Sequence, residues 1–313
     1  MSRAARTPAR NRAAPATSPA GAFDWSEWQP LPGDWRPAAE TLRETLDGGQ
    51  AFRWTHAPDA DDTTLWTGIW SGHVVQIRCG MVPTWRAPDG ELAATRPALA
   101  RYLGADVSWG AISDTLPWRS DTHLRQCLEA YPGLRILRQP FGETLLGFLC
   151  SATKQIVQIK QMVALLAKRH GSPIGGTHHR LPTWAELADV PEAELRACLL
   201  GFRARYIHQV ARFLASRPGW LEETESLPYA TAKDRLLELP GVGEKVADCV
   251  LLFGAGRLEA FPVDTWILKA MARRYRLEGW KAAQLAQFGR THFSGAAGLA
   301  QQYLFAWERR HGR

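Results

Sequence analysis

Two textures divide the chain. From about Trp25 to Trp118 apolar and polar residues alternate in short runs broken by turn formers. The runs 65–70 and 73–79 flank Ser71–Gly72, which is a hairpin signal, and 57–64 reads as a polar loop before it. From about Asp121 the spacing becomes helical. Ile156, Ile159, Val163 and Leu166 share one helix face, and Gly171 is a natural stop. Further helices are expected over 187–200, 204–216, 231–239, 244–253 and 265–276. The pattern predicts an α+β chain by segregation. A small antiparallel β-sheet domain occupies 22–120, and a helical domain follows over 121–313. Residues 1–21 carry four arginines, many Ala and Pro, and no acidic residue. They read as a disordered basic tail and lack the apolar stretch of a secretory signal.

Composition narrows the partners. Of 313 residues, 45% are hydrophobic and 22% charged, as in an ordinary globular protein, and the net charge is +7. A basic balance favours polyanions, because each Lys or Arg near a phosphate releases counterions. No apolar run approaches the roughly 20 residues that span a bilayer, so no membrane partner is expected. The five cysteines, Cys79, Cys127, Cys150, Cys198 and Cys249, form no close pair. They read as free thiols of a reducing compartment, and four closely spaced thiolates for an iron–sulfur cluster are lacking. No His, Cys or carboxylate cluster stands at metal-ligand spacing, so neither metal nor cofactor is expected. His178 and His179 read as loop residues.

The densest chemistry lies in 236–248, Leu-Leu-Glu-Leu-Pro-Gly-Val-Gly-Glu-Lys-Val-Ala-Asp. A helix ends at Leu239, where Pro240 interrupts it, and Gly241 and Gly243 permit a tight turn around Val242. A second helix starts at Glu244, and its first N–H groups are unpaired. Together these parts make a helix-hairpin-helix clamp over 231–253, suited to hold a DNA phosphate without reading sequence. Lys245 falls in the first turn, where the helix dipole opposes a second positive charge. A reaction that needs an uncharged amine gains from that. Asp264, in Phe-Pro-Val-Asp-Thr-Trp, precedes a helical pattern and is a natural N-cap. An ionised carboxylate beside such a lysine suits cleavage of an N-glycosidic bond, because it stabilises a cationic sugar.

At these residues the chain resembles the helix-hairpin-helix/Gly-Pro-Asp DNA glycosylases, and more narrowly the 8-oxoguanine DNA glycosylase/lyases. The resemblance covers about residues 25–313. It implies that Lys245 attacks C1′, that the base departs, and that the resulting Schiff base nicks the strand by β-elimination, with Asp264 as the motif aspartate. Gly48-Gly-Gln-Ala-Phe-Arg-Trp54 is similar to an early family signature. There Gly49 would offer its carbonyl to the N7–H that 8-oxoguanine has and guanine lacks. Gln301-Gln-Tyr-Leu-Phe305 is similar to the family's pocket helix. Gln301 would bond the flipped base, Phe305 would stack on one face, and Cys249 would pack against the other. The segments 133–140 and 200–206 fit the family as well.

Departures fall on the side that would face the opposite strand. Thr153 stands where eukaryotic relatives carry Asn, and Gln158 replaces one Arg, leaving Arg203. Phe202 replaces a common Tyr wedge, and Trp266 stands where relatives often place His. The resulting expectation is a monomeric enzyme acting on double-stranded DNA that contains an oxidised purine. It would work in the bacterial cytoplasm at the nucleoid, or in a nucleus. Two alternatives stay open. One is a glycosylase of the same fold for alkylated purines; the other is a non-catalytic DNA-binding hairpin protein.

Overall fold

The structure is a computed structural model and describes residues 23–59 and 63–312. The expected basic tail and the middle of the 57–64 loop lie outside the described residues. Five antiparallel strands form the first sheet: β1 (Gln29–Pro30), β2 (Trp54–Pro58), β3 (Thr64–Trp70), β4 (His73–Arg78) and β5 (Thr84–Arg86). Their spatial order is β1-β5-β4-β3-β2. Trp70 pairs with His73 across a two-residue turn in which Ser71 and Gly72 both have positive φ, 46° and 86°. That turn geometry matches the twist of the flanking strands. In β3 the buried positions alternate, and Trp54 lies over Gly68, where a Cβ would come within 2.5 Å of the indole. A core of Leu42, Leu46, Trp54, Trp66, Trp70, Ile77 and Trp85 fills the inner face.

The β-rich stretch also holds three helices, Ala39–Asp47, Leu92–Tyr102 and Trp109–Thr115. The first two contribute Leu42, Leu46 and Leu99 to that same core. Their apolar faces are short, so burial against the sheet rather than a strong repeat specifies them. The helical part packs around a second core reaching from Phe52 and Trp109 to Ala306. The expected helix 244–253 is observed with those bounds, and Ile156–His170 ends at Gly171. The expected helix over 187–200 is broken instead. It becomes Trp184–Ala188, Glu192–Leu195 and a π turn, Arg196–Leu200. Pro191, which cannot donate to a helical ladder, sits at the break. His178 and His179, expected in a loop, form one strand of a small ribbon with Pro173–Gly175. Phe23 stacks on the His178 ring there, which gives that strand a partner. Among the described residues no helix is long and apolar enough to cross a membrane.

Candidate active site

The hairpin joins helices Tyr229–Leu237 and Glu244–Phe253. Gly241 has φ +82°, and a Cβ on it would lie 2.7 Å from the Tyr206 ring. The ring packs against a turn that only glycine fits. At Gly243 a Cβ would meet nothing within 4 Å, so this side of the turn is open. Gly243 is the N-cap and has no side chain to cap with. The first N–H groups of the helix are left for an anion. Val242 is buried beneath, and its N–H donates to the Leu239 carbonyl at 3.1 Å. Under the helix pair, Asp248 is only 1% exposed. It accepts from the Tyr229 hydroxyl at 2.7 Å and from Lys233 Nζ at 3.0 Å, while Lys233 also meets Glu244 at 2.6 Å. A buried carboxylate is tolerable because a cation and a hydroxyl both meet it.

Lys245 is half-buried. Its Nζ donates to Ser151 Oγ at 3.2 Å and lies 5.0 Å from the centre of the Phe148 ring. Ser151 in turn donates to the Phe148 carbonyl at 2.7 Å, which fixes its hydroxyl at the end of helix Phe141–Leu149. Cys249, one turn after Lys245, is buried. Burial pushes its thiol up to about 12, with the Lys245 charge drawing it partly back. At neutral pH it is a thiol and not a competing nucleophile. Asp264 caps helix Thr265–Tyr275, its Oδ1 accepting from Trp266 N at 3.0 Å and Ile267 N at 2.9 Å. Burial raises its carboxyl above the ordinary range, opposed by those capping N–H groups and by the charge of Lys245. The structure therefore brings Lys245, Cys249 and Asp264 into one electrostatic neighbourhood. Trp266 keeps its indole beside Lys269, whose Nζ is 5.0 Å from the ring.

A second wall faces this one. Gly49 has φ +106°, and a Cβ there would lie 3.1 Å from Ile156 Cδ1 and 3.7 Å from Phe305 Cε1. Gly49 and Phe305 thus meet, far apart as they are in sequence. Gln301 is buried; its Nε2 donates to the Pro262 carbonyl at 3.1 Å, and its Oε1 accepts from Gln302 at 2.7 Å. It ties helix Ala297–His311 to the loop carrying Asp264. One N–H and one lone pair of its amide remain for a ligand. The rest of the 48–54 segment is scaffold. Buried Gln50 donates to the Arg135 carbonyl at 2.9 Å, accepts from Leu137 N at 2.9 Å, and receives Gln139 on its own carbonyl at 2.7 Å. Two segments singled out in the sequence, 48–54 and 133–140, are thereby stitched together. Trp54 donates to the Tyr102 hydroxyl at 3.0 Å, and Arg53 donates to the His179 carbonyl.

The rim beside the hairpin departs from expectation at one residue. Phe202 is 51% exposed, and Leu199 is 60% exposed at φ +63°. Both present apolar surface to solvent. Arg203, expected to contact DNA, is 3% exposed. Its Nε donates to the Ala152 carbonyl, its Nη1 to the Leu200 carbonyl and its Nη2 to Thr153 Oγ1, each at 3.0 Å. With its donors committed to the protein, it braces two turns rather than reaching outward. Thr153 is exposed at φ +56°. Gln158 is engaged in a capping box with Gln155 at the start of helix Ile156–His170.

Several partners were not expected at the site from sequence: Ser151, Phe148, Ile156, Pro262 and Tyr206. Ser151 lies two residues before Thr153, in a segment set apart in the sequence only by its departure from relatives, which is the nearest thing to a signal. The others are apolar or backbone groups that only the fold places. A cleft of about 1110 Å³, lined by Trp70, Tyr102, Arg180, Trp184 and Trp220 among others, includes none of the candidate residues. It lies by the other ends of helices Phe141–Leu149 and Arg203–Ala215, at Phe141 and Ala215.

The chain is similar to known proteins over both of its parts. Residues 37–145 match the family model of the 8-oxoguanine DNA glycosylase N-terminal domain. Residues 146–290 match the HhH-GPD superfamily of base excision DNA repair proteins. The chain is 30% identical over 293 residues to the N-glycosylase/DNA lyase OGG1 of Arabidopsis thaliana, covering 86% of this chain and 77% of that protein. It is 31% identical over 225 residues to a probable N-glycosylase/DNA lyase of Methanothermobacter thermautotrophicus, covering 64% and 72%. Among solved structures it is similar to the Clostridium acetobutylicum 8-oxoguanine glycosylase/lyase in complex with DNA. That match has a TM-score of 0.78 at 29% identity, over 87% of this chain and 92% of the other. The chain belongs to the 8-oxoguanine DNA glycosylase family, within the HhH-GPD superfamily of base excision DNA repair proteins.

Proposed function

We propose that this protein excises 8-oxoguanine from double-stranded DNA and then cuts the strand at the site it leaves. One observation carries the reading: Lys245, in the first turn after the phosphate-clamp hairpin, stands on Phe148 and Ser151 within electrostatic reach of capped Asp264. Relatives bearing the name N-glycosylase/DNA lyase support it.

The roles follow from the chemistry. The hairpin N–H groups take a backbone phosphate next to the lesion. Phe202 fills the gap as the damaged nucleotide leaves the stack, offsetting part of the few kcal/mol that extrusion costs. Lys245 Nζ gives up a proton and bonds to C1′, and the electrons of the glycosidic bond leave with the base, which takes that proton. Asp264, as carboxylate, offsets the positive charge that develops on the sugar. The nitrogen then loses a proton and its lone pair expels the ring oxygen, so the C1′–O4′ bond breaks, O4′ takes up the proton and a Schiff base forms; loss of a C2′ proton then expels the 3′ phosphate. The Gly49 carbonyl accepts from N7–H of 8-oxoguanine, Gln301 meets the Watson–Crick edge, and Phe305 and Cys249 cover the faces. Guanine would set its own N7 lone pair against the Gly49 carbonyl, a mismatch that binding alone punishes strongly. Such an enzyme works as a monomer where duplex DNA is kept, at a nucleoid or in a nucleus.

Borohydride trapping on an 8-oxoguanine duplex tests the proposal. Wild type should give a covalent protein–DNA adduct, and Lys245→Gln should give none. An adduct that persists in the variant would assign the chemistry to another amine. Preferential release of 3-methyladenine would move the substrate to alkylated purines.

A further inference from the structure

We infer that two ion pairs, Asp47–Lys160 and Glu44–Arg309, are positioning residues for base selection. They clamp the turn that carries Gly49 between the two helices that line the base pocket. This inference rests on the proposed role of the Gly49 carbonyl and adds how that carbonyl is held.

Helix Ala39–Asp47 runs directly into Gly48 and Gly49. Its last turn bears two acids three residues apart, Glu44 and Asp47, which therefore lie on neighbouring positions of one face. Asp47 Oδ1 meets Lys160 Nζ at 2.6 Å, and both side chains are about one-fifth exposed. Glu44 Oε2 meets Arg309 Nη2 at 2.6 Å, with the Glu44 side chain 9% exposed. A Cβ on Gly48 would strike the Glu44 carboxylate, so the glycine leaves the space that this side chain occupies.

The two cations have the same relation to the pocket. Lys160 lies four residues after Ile156 on helix Ile156–His170, and Arg309 lies four residues after Phe305 on helix Ala297–His311. Residues four apart stack on one helix face. Ile156 and Phe305 are the side chains nearest to a Cβ on Gly49. Each helix thus touches Gly49 with one residue and holds the acidic helix with the next turn. Arg309 also lies 5.8 Å from the centre of the Phe305 ring.

Partly exposed ion pairs contribute little to overall stability, because water screens them and long side chains lose entropy. Geometry is a different matter. A carbonyl that must meet one N–H loses its discrimination when it moves by a fraction of an ångström. A displacement of about 1 Å can cost on the order of 10²-fold in rate. Cutting at a preformed abasic site has no base to read, so it should not depend on the clamp.

The test compares two reactions of the full chain at saturating enzyme: release of 8-oxoguanine, and nicking of a duplex with a ready-made abasic site. Lys160→Met and Arg309→Met should each slow base release about tenfold or more, with nicking kept within about twofold. Lys160→Arg keeps the cation and should recover most of the base-release rate. Retained nicking certifies a folded enzyme, and Asp47→Asn provides a milder break of the same pair. Equal losses in both reactions, no loss in either, or no recovery in Lys160→Arg would each overturn the clamp. Gly49→Ala separates the inference from the reading beneath it. If it abolishes the preference for 8-oxoguanine over guanine while Lys160→Met does not, the clamp fails and the Gly49 reading stands. If Gly49→Ala leaves that preference intact, both fall.

Discussion

The two walls of the site are built in opposite ways. The hairpin wall comes from one stretch of chain, from Tyr229 to Asp264, and is fixed from below by the buried Asp248–Lys233–Tyr229 contacts. The pocket wall gathers Gly49, Ile156, Gln301 and Phe305 from three distant segments, held by largely buried ion pairs and by Gln50. The proposed chemistry thus sits on a local, rigid element, while the proposed recognition sits on long-range packing. Damage to the first wall should end every reaction; damage to the second should slow base release and loosen base choice while sparing abasic nicking.

The largest effect is expected at Asp264. Asp264→Asn should reduce base release by roughly 10²–10⁴-fold, the usual contribution of a positioned acid–base group. Stability should move the other way. The folded carboxyl is raised above 3.8, so the native state holds its proton more tightly than the unfolded chain does. Ionisation therefore costs folding stability as pH rises from below 3.8 through the raised value, and wild type bears that cost in full at neutral pH. Asparagine caps equally well. The variant should melt no lower than wild type at pH 7, and any advantage should vanish in acid. For wild type, activity should rise with pH along a limb above the ordinary carboxylate range. A melting temperature that falls at pH 7 would mean Asp264 is chiefly structural.

Next comes the foundation of the hairpin. Lys233→Met leaves Asp248 buried without its cation, at a cost of about 3–5 kcal/mol in a urea melt. Base release and abasic nicking should fall together. A split between the two reactions would erase the contrast between the walls. Gly241→Ala is milder. A residue with a Cβ at φ +82° costs about 1–2 kcal/mol, and Tyr206 must also shift. Affinity for damaged and undamaged duplex should drop by a similar factor, about tenfold, since the hairpin meets only backbone.

This contrast also explains what could be read in advance. The hairpin was legible because its parts are local: Pro240, two glycines, and a capping Asp264. So was the β3–β4 turn, which Ser71–Gly72 announces. The site residues of the pocket wall came from likeness to a family, since nothing near Gly49 in sequence says that Phe305 will touch it. Arg203 shows the limit. The family likeness pointed it toward the opposite strand, yet its partners are the Ala152 and Leu200 carbonyls, one of them from a distant turn. The expected helix 187–200 breaks for a local reason: Pro191 interrupts an otherwise continuous apolar spacing.

The smallest effect belongs to the rim between the walls, where Thr153 holds φ +56°. A β-branched side chain is strained in that region, whereas Asn enters it readily. Thr153 also accepts from Arg203 Nη2 at 3.0 Å, which an Asn side-chain oxygen can reproduce. Thr153→Asn should therefore stabilise the fold by about 0.5–1 kcal/mol in a urea melt. Thr153→Ala keeps the strain and loses the acceptor, so it should be destabilising by a similar amount. If Asn gives no gain while Ala gives a loss, the bond to Arg203 and not the backbone sets the cost at this turn. The rim would then resemble the pocket wall, held by a contact from elsewhere in the chain. A gain with Asn would place it with the hairpin, where backbone conformation decides.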